Sequence, residues 1–254
     1  FSINQLLSGL NNIKMDEEHK VQIEAQARFL RGWHYMYLGM VYGGVPIYIS
    51  VPQSRNQARN TLKEVMEQSI DDLTFAYEKL NDEKTPGYAN KWTAAGYLTK
   101  LYCFLASCKK FNVGQDLSFP LNSFDWVNID GFYTQARNLA DEIISSGKYS
   151  LVKDYRLLFL EKSVSRQDQE NLFTFLPSEV QQVGFAPNYY LYPVGFYGKG
   201  WGTCRPTQEV YDRFDQTNDV RGGWVVGGWA IESETEEFDN VKYYKPSPLH
   251  VSGG

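Results

Sequence analysis

Between Glu24 and Val41 the apolar residues Ala25, Phe29, Leu30, Trp33, Met36, Tyr37, Met40 and Val41 recur mostly at steps of three and four. That spacing predicts an amphipathic helix with one buried face. Gly43 and Gly44 let the chain leave the helix, and Pro46 forbids its continuation. Glu24 and Arg28 stand one turn apart with the acid on the N-terminal side, the better order for a helical ion pair, so the two are expected to pair. Phe29, Leu30, Trp33, Met36, Tyr37 and Met40 are expected to be largely buried, each large side chain contributing about 1.5–3 kcal/mol. Truncating Trp33 to alanine is then expected to cost about 3–5 kcal/mol through the cavity it leaves.

Three more helices follow from the same period. Leu62 to Leu80 carries the most regular stripe (Leu62, Val65, Met66, Ser69, Ile70, Leu73, Ala76, Tyr77, Leu80), and Thr61 with Glu64 forms a capping box at its start. Lys91 to Lys109 turns Trp92, Ala95, Leu98, Leu101, Tyr102 and Leu105 inward. Gly131 to Ser146 does so with Tyr133, Ala136, Leu139, Ala140, Ile143 and Ile144 and stops at Gly147. Tyr35-x-x-Leu38-Gly39-x-x-Tyr42 matches the first helix of a tetratricopeptide with Tyr for Trp, and Trp92-x-x-Ala95-Gly96-x-x-Thr99 is a weaker copy. Glycine at such positions lets helices approach closely, but Gly39 and Gly96 are too far apart for the regular repeat of about 34 residues. After Tyr149 the texture changes. Glu170 to Leu176 reads as a short β-like run, Gly184 to Gly202 is irregular and rich in Gly, Pro and aromatics, and Thr207 can cap a short helix through Phe214. The tail beyond Asp219 shows no element that would close a domain. The expected fold is mainly α: an irregular tetratricopeptide-like α-α superhelix over residues 1–160, with a loop-rich portion over 161–254.

Composition narrows the function classes. A net charge of -5 with no Lys/Arg cluster argues against nucleic acid. No apolar run approaches the roughly 20 residues of a membrane span, and Phe1-Ser2-Ile3-Asn4 does not open a signal peptide. Cys103, Cys108 and Cys204 lack metal or redox spacing and read as small apolar residues, Cys204 in a loop being the one expected to be exposed. His19, His34 and His250 are scattered, and no zinc spacing, P-loop or Gly-x-Ser-x-Gly elbow occurs. Gly198-x-Gly200-x-Gly202 has no preceding strand and is a flexible turn rather than a dinucleotide loop. No metal or organic cofactor is expected, with calcium on an acidic loop left open. Two carboxylates across a cleft would make a glycosidase, and Asp125, Asp130, Glu179, Asp212, Asp215 and the run from Glu232 to Glu237 are available. Sequence pairs none of them. A peptide-binding helical-repeat scaffold is the other alternative. The 18 Tyr and 6 Trp exceed what packing requires and suit a binding surface, since each offers a flat apolar body with a polar handle.

Five segments in one order resemble the SusD/RagB-like family. They are EAQARFLRGWHYMYLGMVYGGVP (Glu24 to Pro46), WTAAGYLTKLY (Trp92 to Tyr102), YTQARNLADEIISSGKYSLVKDYRLLF (Tyr133 to Phe159), QENLF (Gln169 to Phe173), and Arg205-Pro206-Thr207-Gln208-Glu209 followed by Asp219-x-Arg221. The resemblance implies a non-catalytic, lipid-anchored protein of the outer-membrane surface. Such a protein captures a glycan and delivers it to a SusC-like TonB-dependent transporter, on which the helical part docks. Members are roughly twice this length and carry a lipidated N-terminal cysteine that this chain lacks.

Within that frame Phe185, Tyr189, Tyr190, Tyr192, Phe196, Tyr197 and Trp201 stand out, interrupted by prolines and glycines that preclude a long helix or regular strand. Flat rings suit the apolar C–H faces of sugars, and neighbouring amide or guanidinium groups suit their polar edges. Trp201, Tyr197 and Tyr192 are the expected stacking residues, Asn188 and Arg205 the hydrogen-bonding ones, and Trp224 and Trp229 outsiders.

Overall fold

The computed structural model describes residues 1–51, 56–115, 119–153, 155, 169–174, 207–215, 218, 219, 221, 228, 229, 235–238, 241–244, 246 and 247. It is mainly α-helical and divides into two units, Phe1–Ser150 with Glu170–Thr174, and Leu151–Gln169 with Phe175–Gly254.

The first unit holds α1 (Ser2–Gly9), α2 (Glu17–Tyr42), α3 (Leu62–Lys79), α4 (Lys91–Lys110) and α5 (Ile129–Ser145). From α2 onward each helix packs chiefly on the next, so α3 and α4 are covered on two sides. Their sequences show it: Leu62, Val65, Met66, Ser69, Leu73 and Ala76 of α3 are all buried, as are Thr93, Ala94, Ala95, Leu98, Leu101, Tyr102 and Leu105 of α4. The expected helices are present with shifted ends. α2 begins at Glu17 rather than Glu24, because Asp16 accepts from the His19 backbone N–H and caps it. Asn128 likewise caps α5 through the Gly131 N–H at 3.0 Å, two residues ahead of the expected start. Thr61 and Glu64 form the expected capping box, and Asn90 with Thr93 forms a second one on α4. Helix α1 was not legible from periodicity. It is tied down by Asn4, which donates to the Tyr48 carbonyl at 2.7 Å.

The amphipathic reading of α2 needs correction at three places. Phe29 and Met36 are fully buried, but Leu30, Trp33, Tyr37 and Met40 are only partly so, and Val41 is 68% exposed. Ala27, Gly32, Tyr35 and Gly39 are buried as well, and Gly32 and Gly39 lie directly against α3. A Cβ at Gly39 would lie 2.6 Å from the Met66 methyl, so this glycine does sit at a helix crossing, while Leu38 and Tyr42 of the same tetratricopeptide-like run are exposed. Arg28 does not turn to Glu24. It reaches across to Asp71 and Asp72 of α3, because a fully buried carboxylate there lacks other means of solvation. On α5, Ile144 is 74% exposed, since α4 covers only one side of this outer helix.

Gly96 receives no helix. Leu172 fills the space in front of it, its Cδ1 standing 2.4 Å from where a Cβ would be. Thr93 Oγ1 donates to the Leu172 carbonyl at 2.6 Å, and Phe173 meets Phe29 edge to face. Residues 170–174 therefore belong to the helical unit and are not a strand: 169 and 170 are helical and 171–174 irregular, because their backbone is held by a threonine side chain instead of a ladder.

The turn after α2 is held by its own polar clamp. Gly43 has φ 72°, a region open to glycine, and Gly44 N–H donates to Asn122 Oδ1 at 2.9 Å. Arg59 donates to the carbonyls of Gly44 and Tyr42, and Asn60 Oδ1 accepts from Ile47 N–H. A Cβ on Gly44 would stand 2.1 Å from the Asn60 carbonyl oxygen. Gly44→Ala is accordingly expected to cost about 1–3 kcal/mol through overpacking against backbone. A denaturation midpoint equal to the parent's would show that the 43–60 connection moves freely.

In the second unit the described elements are α6 (Gln208–Asp212), β1 (Gly228–Trp229), β2 (Thr235–Phe238), β3 (Val241–Tyr244) and β4 (Pro246–Ser247). Thr207 caps α6, as expected from the sequence, with its hydroxyl accepting from Val210 N–H. β2 and β3 pair antiparallel with Thr235 opposite Tyr244, and β1 pairs antiparallel with β4. The tail thus has regular elements that its composition did not announce, and the end of the acidic run, Thr235 to Glu237, is strand.

Candidate functional site

Trp201, Tyr197, Tyr192, Asn188 and Arg205, the residues expected to hold a ligand, lie outside the described residues, as do Trp224, Cys204, His250 and Glu179. Trp229 is described as part of β1. Of the signature that follows Arg205, the Asp219-x-Arg221 portion is a bidentate ion pair, with Arg221 Nε 2.8 Å from Asp219 Oδ1 and Nη2 2.6 Å from Oδ2. The Arg221 guanidinium holds the Asp219 carboxyl below the usual carboxylate range.

A cleft of about 750 Å³ opens where the C-terminal ends of α2 and α4 meet the 3-10 turn Pro120–Asn122. Its inner surface is apolar: Gly39, Leu62 and Cys108 are buried and Phe104 is partly so. Burial pushes the Cys108 thiol up, so it stays protonated, and Cys103 and Cys108 are both free. Two exposed rings, Tyr42 and Phe119, stand at the opening together with the amides of Asn112, Gln115 and Asn122. Lys109 Nζ lies 2.6 Å from Asp125 Oδ1, and Ser123 donates to the other oxygen at 2.9 Å. Those two hydrogen bonds, Lys109's first, hold the Asp125 carboxyl below its ordinary range. A carboxylate so paired is a poor general acid or base near neutral pH.

The remaining chemistry is structural. His34 is exposed, with Nδ1 2.6 Å from the Leu30 carbonyl and its ring edge-on to Trp33. His19 pairs with Asp16 at the start of α2. Among the described residues no group of three His, Cys, Asp or Glu side chains could hold a metal ion, and no helix is long and apolar enough to cross a membrane.

The cluster that sequence reasoning missed is the one around Asp72. This fully buried carboxylate accepts from Arg28 Nε at 2.8 Å, from Arg31 Nε and Nη2 at 2.7 and 2.8 Å, and from Gln68 at 3.1 Å. Arg31 continues to Asn4, and Asn4 to the Tyr48 carbonyl that Tyr35 also bonds. The chain of bonds fixes α1, α2, α3 and the connection after Gly44 in one arrangement. The signal was present in an Arg-x-x-Arg on one helix face and an acidic pair inside a buried stripe. Only the pairing of the two helices brings them together.

Comparison with known proteins adds a family. Residues 1–103 match the SusD-like family described as starch-binding and associating with the outer membrane. A SusD-like protein P2 of Formosa agariphila is 25% identical over 98% of this chain and 47% of its own length. A SusD-like protein of Bacteroides ovatus is 27% identical over 64% of this chain and 28% of its own. The chain thus spans half or less of the length of these curated relatives. Among solved structures, a SusD superfamily protein from Parabacteroides distasonis superimposes with a TM-score of 0.69 at 22% identity, over 87% of this chain and 45% of that one. Another, solved with xylogluco-oligosaccharide, gives 0.67 at 22% identity over 84% and 42%. Residues 1–103 thus resemble the SusD-like family, and the chain shares the fold of these solved structures.

Proposed function

We propose that the chain is the glycan-capturing portion of a non-catalytic lipoprotein of the outer-membrane surface, which delivers its ligand to a SusC-like TonB-dependent transporter. The observation that carries this reading is the match of residues 1–103 to a family described as starch-binding and associating with the outer membrane. The fold shared with a protein solved with xylogluco-oligosaccharide supports it. In this reading residues 1–160 form the helical part that docks on the transporter, and 161–254 begin the part that carries the ligand. Trp201, Tyr197 and Tyr192 stack on sugar rings, and Asn188 and Arg205 bond their hydroxyls. The membrane is met through an N-terminal lipid, and no metal or organic cofactor takes part.

Affinity electrophoresis against a polysaccharide panel, run beside a reducing-end assay, tests the reading. Retardation by at least one glycan without release of reducing ends is the expected result, and turnover would make the protein a glycosidase. Trp201→Ala and Tyr197→Ala are each expected to weaken binding about tenfold, the effect of losing one aromatic contact. If both variants fold normally and bind as tightly as the parent, the ligand is held elsewhere.

A further inference from the structure

We infer that the cleft between the C-terminal ends of α2 and α4 is itself a binding site for a neutral oligosaccharide, one that uses none of the residues between 185 and 205. The inference rests on the glycan-binding reading above and assigns a second place for such a ligand on the chain. Four observations carry it.

The volume, about 750 Å³, is within the range of small-molecule sites. The inner surface is apolar while the opening carries amides, which is the division that a ligand with C–H faces and hydroxyl edges requires. Tyr42 and Phe119 border the same concavity yet are 62% and 59% exposed, so neither ring is used up in packing. Among the described residues that line it, the one acid and the one base, Asp125 and Lys109, are joined at 2.6 Å and compensate each other, which favours a neutral ligand.

Preorganisation favours the same assignment. Asn122 is fixed because its Oδ1 accepts from the Gly44 N–H, and the turn beneath it is clamped by Arg59 and Asn60. An amide held in this way bonds a hydroxyl without further loss of rotamer freedom. A purely apolar ligand would leave Asn112, Gln115 and Asn122 desolvated without partners.

The test compares the parent, a Tyr42→Ala/Phe119→Ala double variant, an Asn112→Ala/Gln115→Ala double variant and Trp201→Ala by affinity electrophoresis in soluble starch and in xyloglucan. Circular dichroism checks that each is folded. All four altered cleft residues are exposed, so the midpoint of the ring variant is expected to stay with the parent's, while the amide variant is expected to melt slightly lower because Asn112 has φ 51°, a conformation alanine disfavours. In whichever gel retards the parent, the ring variant is expected to bind about tenfold more weakly, with the amide variant weakened less. Retardation unchanged in both cleft variants but lost in Trp201→Ala overturns this inference and leaves the proposed function standing. Cleft variants that keep glycan binding but no longer hold the transporter would assign the surface to protein docking and also overturn it. A parent that no glycan of the wider panel retards sinks the proposed function and, with it, the second site.

Discussion

Asp72→Ala is expected to lower the stability of the helical unit by about 3–5 kcal/mol, the cost of breaking a buried ion pair by removing one partner. The carboxylate is completely shielded from solvent, and Arg28 and Arg31 are only 17% and 13% exposed. Removing it leaves two guanidinium groups, with no carboxylate between them, packed between α2 and α3. Arg28 retains Asp71, which is mostly exposed, and the ring of Phe75 at 4.1 Å, so the larger share of the loss falls on Arg31. Asp72→Asn keeps an acceptor and the shape and is expected to cost less. The measurement is the urea midpoint followed by far-ultraviolet circular dichroism. A loss below about 1 kcal/mol, the range of exposed pairs, would show that water reaches the cluster. The same physics predicts that replacing Asp72, Arg28 and Arg31 together with apolar residues of similar volume restores much of the stability, because the desolvation cost of the charges disappears with them.

Phe29→Ala is expected to cost about 3–5 kcal/mol, and Trp33→Ala less. Side-chain size alone would rank them the other way, since tryptophan is larger. In the structure Phe29 is fully buried, with edge-to-face contacts to Tyr97 at 5.6 Å and Phe173 at 5.3 Å. Truncation there opens a closed cavity and removes two ring contacts worth about 0.5–1.5 kcal/mol each. Trp33 is only partly buried, flanked by His34 and Tyr37, so water can replace some of what is lost. Because Phe173 is brought in from far along the chain, Phe29→Ala is also expected to loosen residues 170–174, read as faster amide exchange there. A Trp33→Ala loss equal to or greater than that of Phe29→Ala would show that Trp33 is enclosed as fully as Phe29.

Much of the helical unit could be read in advance because its information is local. Thr61 and Glu64 satisfy each other's neighbours within one turn, and the Leu62 to Leu80 stripe repeats whatever lies opposite. Gly43 needs only its own backbone to end α2. The same locality explains the misses at helix starts, where Asp16 and Asn128 cap by the same chemistry without a preceding breaker to draw notice. The expected ligand residues, Trp201, Tyr197, Tyr192, Asn188 and Arg205, were marked by composition and resemblance and remain a proposal.

What the sequence by itself determined is the four long helices α2 to α5, most of their inward positions and the family those motifs resemble. Each of these depends on residues a few positions apart, held together by the helix period. Only the tertiary structure decided which partner each polar or open position would find. Arg28 turned from Glu24 to Asp72, since the two helices bury a carboxylate that needs two guanidinium groups. Gly96 received Leu172 instead of a helix, and Ser69 of an apolar stripe bonded the Gly32 carbonyl at 2.7 Å. The cleft too exists only because the ends of α2 and α4 converge on Asn122, so nothing along the chain marked its residues as one site. Burial and pairing across long separations are properties of the packed unit, and no local period encodes them.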